Sequence, residues 1–179
     1  MQEEMIVQFV CFETPLESEQ FIIEWEQFTR SVNSDMNVVL QQSENKRGFR
    51  YIAQHRCKAG EFQFVFTRRK RSSKVAEVEI SAKQAGGYSV LQFERKNNAL
   101  ADENKVFAFL TEANTDLSIY KEIPHTDLNI YEAYYENCQY AYVLEFFVKN
   151  SETNDLVNQL KQYGAAETAV YKECALQAS

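Results

Sequence analysis

The amino-acid sequence predicts an α+β protein made of two βαββαβ units whose antiparallel sheets pack against each other. The segment 48–58 has the pattern of a strand, and a segment of similar pattern follows at 139–149, 91 residues further along the chain. The opening segment 5–12 is apolar at both of its alternating sets of positions, which is typical of a strand that is covered on both faces. Segments with apolar residues at helical spacing separate the strands, so each unit is expected to carry two helices on one face of its sheet.

The composition indicates a packed globular protein. The 179 residues are 45% hydrophobic and 13% aromatic, and five glycines and two prolines leave little room for flexible linkers. The formal net charge of -7 argues against general nucleic-acid binding, because phosphates repel an acidic surface. No apolar run approaches the roughly 18 residues that a membrane span needs, and the first residues lack the basic start of a signal peptide. We therefore expect no nucleic-acid partner, no membrane partner and a cytoplasmic location.

Neither the cysteines nor any short motif indicates a metal or a cofactor. The four cysteines are far apart and form no CxxC pair and no Cys/His cluster with the spacing of metal ligands. The sequence contains no GxGxxG, P-loop, GxSxG or HExxH motif, which argues against nucleotide-dependent enzymes. We expect reduced cysteines, no metal site and no cofactor.

The first unit is predicted to span residues 1–87. Its opening strand leads into a helix that begins at Thr14 and Pro15, because threonine can cap a helix and proline fits the first helical position. The buried stripe of this helix consists of Phe21, Trp25, Phe28 and Val32.

A hairpin of strands 36–42 and 49–58 follows this helix. The next segment, 61–72, has two interpretations. Its phenylalanines alternate as they would in a strand, but its apolar residues also recur at the spacing of a helix. Its counterpart at 152–163 has a clear helical pattern, so we interpret 61–72 as a helix.

The end of the first unit contains a fourth strand and a glycine pair. Residues 75–81 are predicted as the strand, and Gly86 and Gly87 mark a turn or a bulge. Residues 88–94, which follow this turn or bulge, can have an extended backbone.

The second unit is predicted to span residues 105–179, after a linker at 88–104 that can be part strand. Its opening strand is 105–111, and Pro124 leaves room for only a short helix before the next strand. A rival interpretation makes 88–95 the opening strand and 101–113 a helix.

The remaining elements of the second unit follow their counterparts in the first. Strands are predicted at 129–137, 139–149 and 167–172. Ser151 is expected to cap the helix 152–163, and Gly164 is expected to end it.

This order of elements resembles the dimeric α+β barrel superfamily, and most nearly antibiotic biosynthesis monooxygenase-like proteins in which two ferredoxin-like units are fused in one chain. The resemblance covers nearly the whole chain and implies a pocket, between sheet and helices or inside the barrel, that in relatives hosts cofactor-free oxidation of aromatic compounds or haem breakdown. It also implies either a monomer with an internal pseudo-dimer or a homodimer. The residues that carry the resemblance are the strand from Ile6 to Phe12, the helix with Trp25, the hairpin with Phe49, Arg50 and Tyr51, and Gly86, Gly87 and Tyr88.

His55 is the candidate catalytic residue. On its strand the alternation of faces groups His55 with Tyr51 on the more apolar side, where a histidine can act as a general base. Its counterpart in the second unit is Phe146, so a core histidine without a catalytic role is the alternative. The candidate ligand-binding residues are Tyr51, Trp25, Gln8 and Tyr142.

The tyrosines of the second unit and the second histidine complete the candidates. His125 follows Pro124 and is expected to be exposed in a loop. The tyrosines expected at the interface between the sheets, around a cavity or in ordinary packing, are Tyr131, Tyr135, Tyr140 and Tyr142.

Two functions fit the sequence. The first is a small-molecule-binding protein of the monooxygenase-like barrel type that binds a small aromatic ligand and can oxidise it without a cofactor. The alternative is a non-catalytic interaction or structural module that keeps the fold without an active site.

Overall fold

A computed structural model of the chain describes residues 5–13, 37–42, 51–58, 81–95, 99–134, 138, 140–165 and 167–173. The predicted first helix with Trp25, the segment 61–72 and residues 75–80 lie outside these ranges.

In the described part of the chain, eight strands form a closed barrel in which every strand pair is antiparallel. The order of the strands around the barrel is β1-β3-β2-β8-β5-β7-β6-β4. The strands are β1 (Met5–Glu13), β2 (Asn37–Gln42), β3 (Tyr51–Lys58), β4 (Ser81–Gln92), β5 (Glu103–Leu110), β6 (Asp127–Ala133), β7 (Tyr142–Lys149) and β8 (Glu167–Glu173).

Each half of the chain supplies four neighbouring strands to the barrel. The first half (β1 to β4) is ordered β4-β1-β3-β2, and the second half (β5 to β8) is ordered β8-β5-β7-β6. The pairs β2–β8 and β4–β6 join the two halves. The α+β class and the antiparallel sheet are therefore confirmed.

Strands β5 and β7 are buried on both faces because each face packs against a different core. Phe107 and Phe109 belong to an interior cluster inside the barrel, whereas Val106 and Ala108 alternate with them and belong to a helix-side cluster on its outer surface. Both faces are buried, as the alternating apolar sets predict for covered strands.

Two short helices cover the outer surface of the second half. Helix α1 spans Ser118–Lys121 and contributes the buried Tyr120, and helix α2 spans Thr153–Gln162 and contributes Leu156 and Leu160. The prediction of a short helix before β6 and of a longer one after β7 is confirmed.

The start of α2 differs from the prediction. Ser151 does not cap the helix, because it lies inside a 3₁₀ turn at Asn150–Glu152 and the N-cap position falls on Glu152, without a side-chain cap bond. Instead, the Thr153 hydroxyl donates to the Lys149 carbonyl at 3.1 Å and ties the first helical residue back to β7. At the other end Gly164 closes the helix with a φ of 84°, as predicted.

The fourth strand also differs from the prediction. It continues from Ser81 to Gln92 through Gly86 and Gly87, so the glycine pair lies within a strand and does not end it. The strand continues because β1 pairs with its first part and β6 with its last part. The pairing with β1 shifts register between Phe9 and Val10, next to Gly86, so the predicted irregularity is present as a bulge.

The start of the second half decides between the two interpretations of residues 88–113. Residues 88–92 belong to β4, and Glu103–Leu110 is a strand, which makes the predicted helix at 101–113 wrong. The strand is favoured because both of its faces are buried, whereas a helix would expose one side of the same apolar run.

Within the described part of the chain, no helix has the length and the apolar character that crossing a membrane requires.

Replacing Gly164 by alanine should destabilise the protein by about 1 kcal/mol. The reason is the left-handed backbone alone, because a Cβ at this position would meet nothing within 4 Å. Urea denaturation of the two proteins measures the difference. Gly164→Asn is the control, since asparagine tolerates this backbone better, and an equal loss for both variants would contradict the explanation.

Candidate functional site

Large aromatic side chains fill the centre of the barrel. The Phe9 ring makes edge contacts with the rings of Tyr131 at 5.1 Å, Tyr88 at 5.5 Å and Phe107 at 6.1 Å between centroids. The Tyr88 hydroxyl donates to the Tyr140 carbonyl at 2.9 Å, so burial of this ring leaves its polar atom satisfied. The interior cluster consists of Val7, Phe9, Ile52, Tyr88, Phe107, Phe109, Tyr131, Tyr140 and Val143.

A buried carboxylate lies beside these rings. One oxygen of Glu145, Oε1, accepts from Asn129 Nδ2 at 2.7 Å and from the Tyr131 hydroxyl at 3.1 Å. The other, Oε2, accepts from Gln54 Nε2 at 2.9 Å and lies 3.5 Å from Lys105 Nζ. We call these five residues the Glu145 cluster.

The charges of the Glu145 cluster compensate each other inside the barrel. Glu145 is 3% exposed and Lys105 is 5% exposed, so both ions are removed from water, and each depends on the other for compensation. Both carboxylate oxygens are occupied by protein donors. This arrangement suits a structural role better than proton transfer to a substrate.

A second group of charges lies where the chain leaves β4 and where it enters β5 and β6. Arg95 binds Glu103 through two bonds of 2.6 and 3.1 Å, and its Nε donates to Asp127 at 2.6 Å. The guanidinium also lies over the Phe147 ring, 4.5 Å from its centroid. The hydrogen bonds from Arg95 hold the pKa of the Glu103 carboxyl below its ordinary value.

Asn129 connects the two groups of charges. Its Oδ1 accepts from the backbone N–H groups of Glu94 and Arg95, at 2.8 and 3.1 Å, and its Nδ2 donates to the Arg95 carbonyl at 2.8 Å as well as to Glu145. The side chain therefore satisfies the backbone hydrogen-bonding groups of the two residues, Glu94 and Arg95, that follow β4 closely. It fixes Arg95 relative to the Glu145 cluster.

The backbone pairing of the first half brings two predicted site residues together. Gln8 on β1 lies directly opposite His55 on β3. His55 is also opposite Asn37 on β2, and Gln8 is opposite Gly87 on β4. These four positions, which we call the first-half row, cross the sheet from edge to edge.

The other predicted site residues have different places. Tyr51 belongs to β3, while Trp25 lies outside the described residues, as do the side chains of Tyr51, Gln8 and His55. Tyr142 is 8% exposed and packs in the helix-side cluster of the second half, not in the first-half row.

The expected tyrosine interface divides between the two cores. Tyr131 and Tyr140 are in the interior cluster, Tyr142 is in the helix-side cluster, and Tyr135 lies outside the described residues. His125 is in a loop, as predicted, but it is half-buried and its ring contacts Phe146 at 5.6 Å, so the expectation of an exposed side chain was wrong.

The sequence pattern did not predict the Glu145 cluster. A signal was present, because Lys105, Asn129 and Glu145 are polar residues inside strands whose other residues are mostly apolar. Their partners come from distant parts of the chain, and pattern alone does not identify them. Among the described residues, no group of three or more His, Cys, Asp or Glu side chains could hold a metal ion.

Comparisons with known proteins show the fold. No family model and no curated protein matches the sequence. The solved structure of chlorite dismutase from Candidatus Nitrospira defluvii in complex with imidazole is similar with a TM-score of 0.61 and 8% identity, over 98% of this chain and 93% of that chain. A mutant of the same protein gives a TM-score of 0.60 with 9% identity, over 98% and 94%.

A protein provisionally assigned as a chlorite dismutase gives a TM-score of 0.56 with 8% identity, over 98% of this chain and 96% of that chain. The similarity therefore extends over almost the whole of both chains. The fold class of this chain is ferredoxin-like α+β, as in these solved structures.

Low pH should reduce the free energy of unfolding partly because Glu103 becomes protonated. Its pKa is lowered in the folded state, so its contribution is complete above the ordinary glutamate pKa of about 4.3 and is lost as the pH falls through the folded pKa. Unfolding free energies measured by urea between pH 6 and pH 3 should therefore fall more steeply for the native chain than for Glu103→Gln. The exposed Glu122→Gln should keep the native slope, and equal slopes for all three proteins would contradict the assignment.

Asn129→Ala should destabilise the protein by about 2–4 kcal/mol, because it leaves buried partners of Asn129 without hydrogen bonds. Chemical denaturation measures the loss. Asn158→Ala on the exposed face of α2 is the matched control and should change stability by less than about 0.5 kcal/mol. A loss no larger than that of the control would show that Asn129 does not hold the backbone after β4.

Proposed function

We propose that the chain is a small-molecule-binding protein of the monooxygenase-like α+β barrel type, formed by two fused ferredoxin-like units. Its site lies on the outer surface of the first-half sheet, at the first-half row. The ligand is a small aromatic compound. His55, Gln8 and Asn37 supply polar groups, and Tyr51 and Trp25 supply aromatic ones.

The strand order supports the two-unit organisation. In each half the strands are arranged in the same sequence, fourth-first-third-second, and the counterpart segments of β3 and β7 begin and end 91 residues apart. A single chain then supplies both sheets of the barrel, which makes an internal pseudo-dimer.

The observation that carries the proposal is a difference between equivalent rows of the two halves. By the cross-strand pairing, the second-half row consists of Leu128, Phe146, Val106 and Val170. Three of these are fully buried beneath the helices, and Val170 packs against the same cluster. The first-half row has asparagine, histidine, glutamine and glycine at the equivalent positions.

A polar row at a position equivalent to a buried apolar one is costly unless its groups find partners. Asparagine and glutamine side chains both donate and accept, and histidine titrates near neutral pH. Such a row suits a ligand that combines a planar apolar body with polar substituents. If the protein oxidises this ligand without a cofactor, His55 is the residue suited to remove a proton from it.

The second-half outer surface and the barrel interior are less suited to a ligand. Among the residues whose side chains the structure describes, the helix-side cluster has thirteen buried members and the interior cluster has nine, most of them large. Side chains occupy these regions. The same packing favours the second candidate function, a non-catalytic interaction or structural module in which the first half is filled in the same way.

Replacing His55 by phenylalanine distinguishes these two functions, because it gives the first half the residue found at the equivalent position of the second. A thermal-shift screen with small phenols and other aromatic compounds first identifies a ligand for the native chain. Isothermal titration should then show at least about tenfold weaker binding by His55→Phe, as expected for the loss of one buried polar contact. Its melting temperature should be equal to or above that of the native chain.

The matched control is His125→Gln, which changes the other histidine and should bind the ligand like the native chain. Gln8→Val, which copies the residue of the second-half row, should weaken binding as His55→Phe does. Unchanged binding by His55→Phe would remove His55 from any site. The absence of a ligand for the native chain, together with a more stable His55→Phe, would favour the non-catalytic module.

A further inference from the structure

We propose that the Glu145 cluster selects the partner of each sheet, so that the first-half sheet closes on the second half of the same chain and like halves of two copies do not close on each other. The inference depends on the two-unit organisation proposed above. It does not depend on ligand binding.

Two contacts inside the barrel join positions that are equivalent in the two halves. Gln54 and Glu145 occupy the same position on β3 and β7, and their side chains are hydrogen bonded at 2.9 Å. Phe9 and Phe107 occupy the same position on β1 and β5, and their rings are in edge contact at 6.1 Å. If a pseudo-twofold axis relates the two halves, equivalent residues can touch each other only close to that axis. These two contacts therefore mark its position.

The polar residues around the axis are distributed unequally. Three of the partners of Glu145 belong to the second half, namely Lys105, Asn129 and Tyr131. The cross-strand pairing makes their first-half equivalents Val7, Val38 and Leu40. Only Gln54 in the first half is polar at a position that corresponds to a member of the cluster.

This asymmetry makes the pairing of unlike halves the favourable one. If two second halves closed on each other, each Glu145 would keep its own Lys105 but would face a second carboxylate in the place of the Gln54 donor, and burial makes such a contact between like charges costly. If two first halves closed, Gln54 would meet a second Gln54 and neither would have a carboxylate to bind. The observed pairing gives each Glu145 oxygen its donors and gives Gln54 an ionised acceptor.

A double-mutant cycle in the full-length chain tests the contact at the axis. Gln54→Glu places a second carboxylate against Glu145 and should lower the folding equilibrium constant by about a hundredfold or more. Gln54→Glu with Glu145→Gln restores one carboxylate and one amide in reversed order, so it should recover at least about tenfold of that loss. Independent effects of the two substitutions, measured by urea denaturation, would overturn the proposal.

The second measurement tests selection itself. Each protein is unfolded in urea, refolded at increasing protein concentration and analysed by size-exclusion chromatography with light scattering. Glu145→Gln removes the charge that opposes like pairing, so it should give more of the larger species than the native chain at the same concentration. Asn129→Ala weakens the same cluster but keeps the carboxylate, and it should give less of the larger species than Glu145→Gln.

An equal share of larger species for Asn129→Ala and Glu145→Gln would show that instability alone causes association, and the proposal would fail. His55→Phe should refold like the native chain, because it lies outside the Glu145 cluster. A failure of the ligand proposal therefore leaves this result unchanged, and a failure here leaves the ligand measurements unchanged.

Discussion

The hydrogen-bonded closure of the barrel is the constraint on which the rest of the structure depends. A four-stranded sheet has two edges with unpaired N–H and C=O groups, and in this chain the edges of each half are β2 and β4 or β6 and β8. The pairs β2–β8 and β4–β6 satisfy all four edges at once. Neither half can meet this requirement alone, so each half depends on the other for its backbone hydrogen bonds as well as for its core.

Closure also decides how the interior is used. One face of every strand is turned inward, and the space is filled by aromatic side chains around Phe9 and by the Glu145 cluster. Burying Glu145 and Lys105 costs free energy that a purely apolar layer would not cost, and the hydrogen bonds around them offset that cost. Removing a single donor therefore has a larger effect than its own bond suggests, because it leaves a charge without compensation.

The sequence was sufficient for most of the elements that the structure describes and insufficient for the contacts. The 91-residue correspondence placed β3 and β7 with the same spacing as the structure, and the helical stripe with Leu156 and Leu160 correctly indicated α2. The end of the fourth strand was placed too early, because Gly86 and Gly87 were interpreted as an end and their neighbours on β1 and β6 were unknown. The contact between Gln54 and Glu145 spans 91 residues, and no local pattern connects positions that far apart.

The two halves have the same strand order, but their outer rows differ in polarity. In the second half the outer row around Phe146 is apolar and largely buried, so this half contributes stability and leaves little space for anything else. In the first half the equivalent row around His55 is polar, which reduces the apolar area that its sheet can bury. Because the barrel is closed through both halves, the stability of the second half also supports the first. A barrel whose two halves differ in sequence can therefore contain one polar row, whereas a barrel closed by two identical halves would contain two.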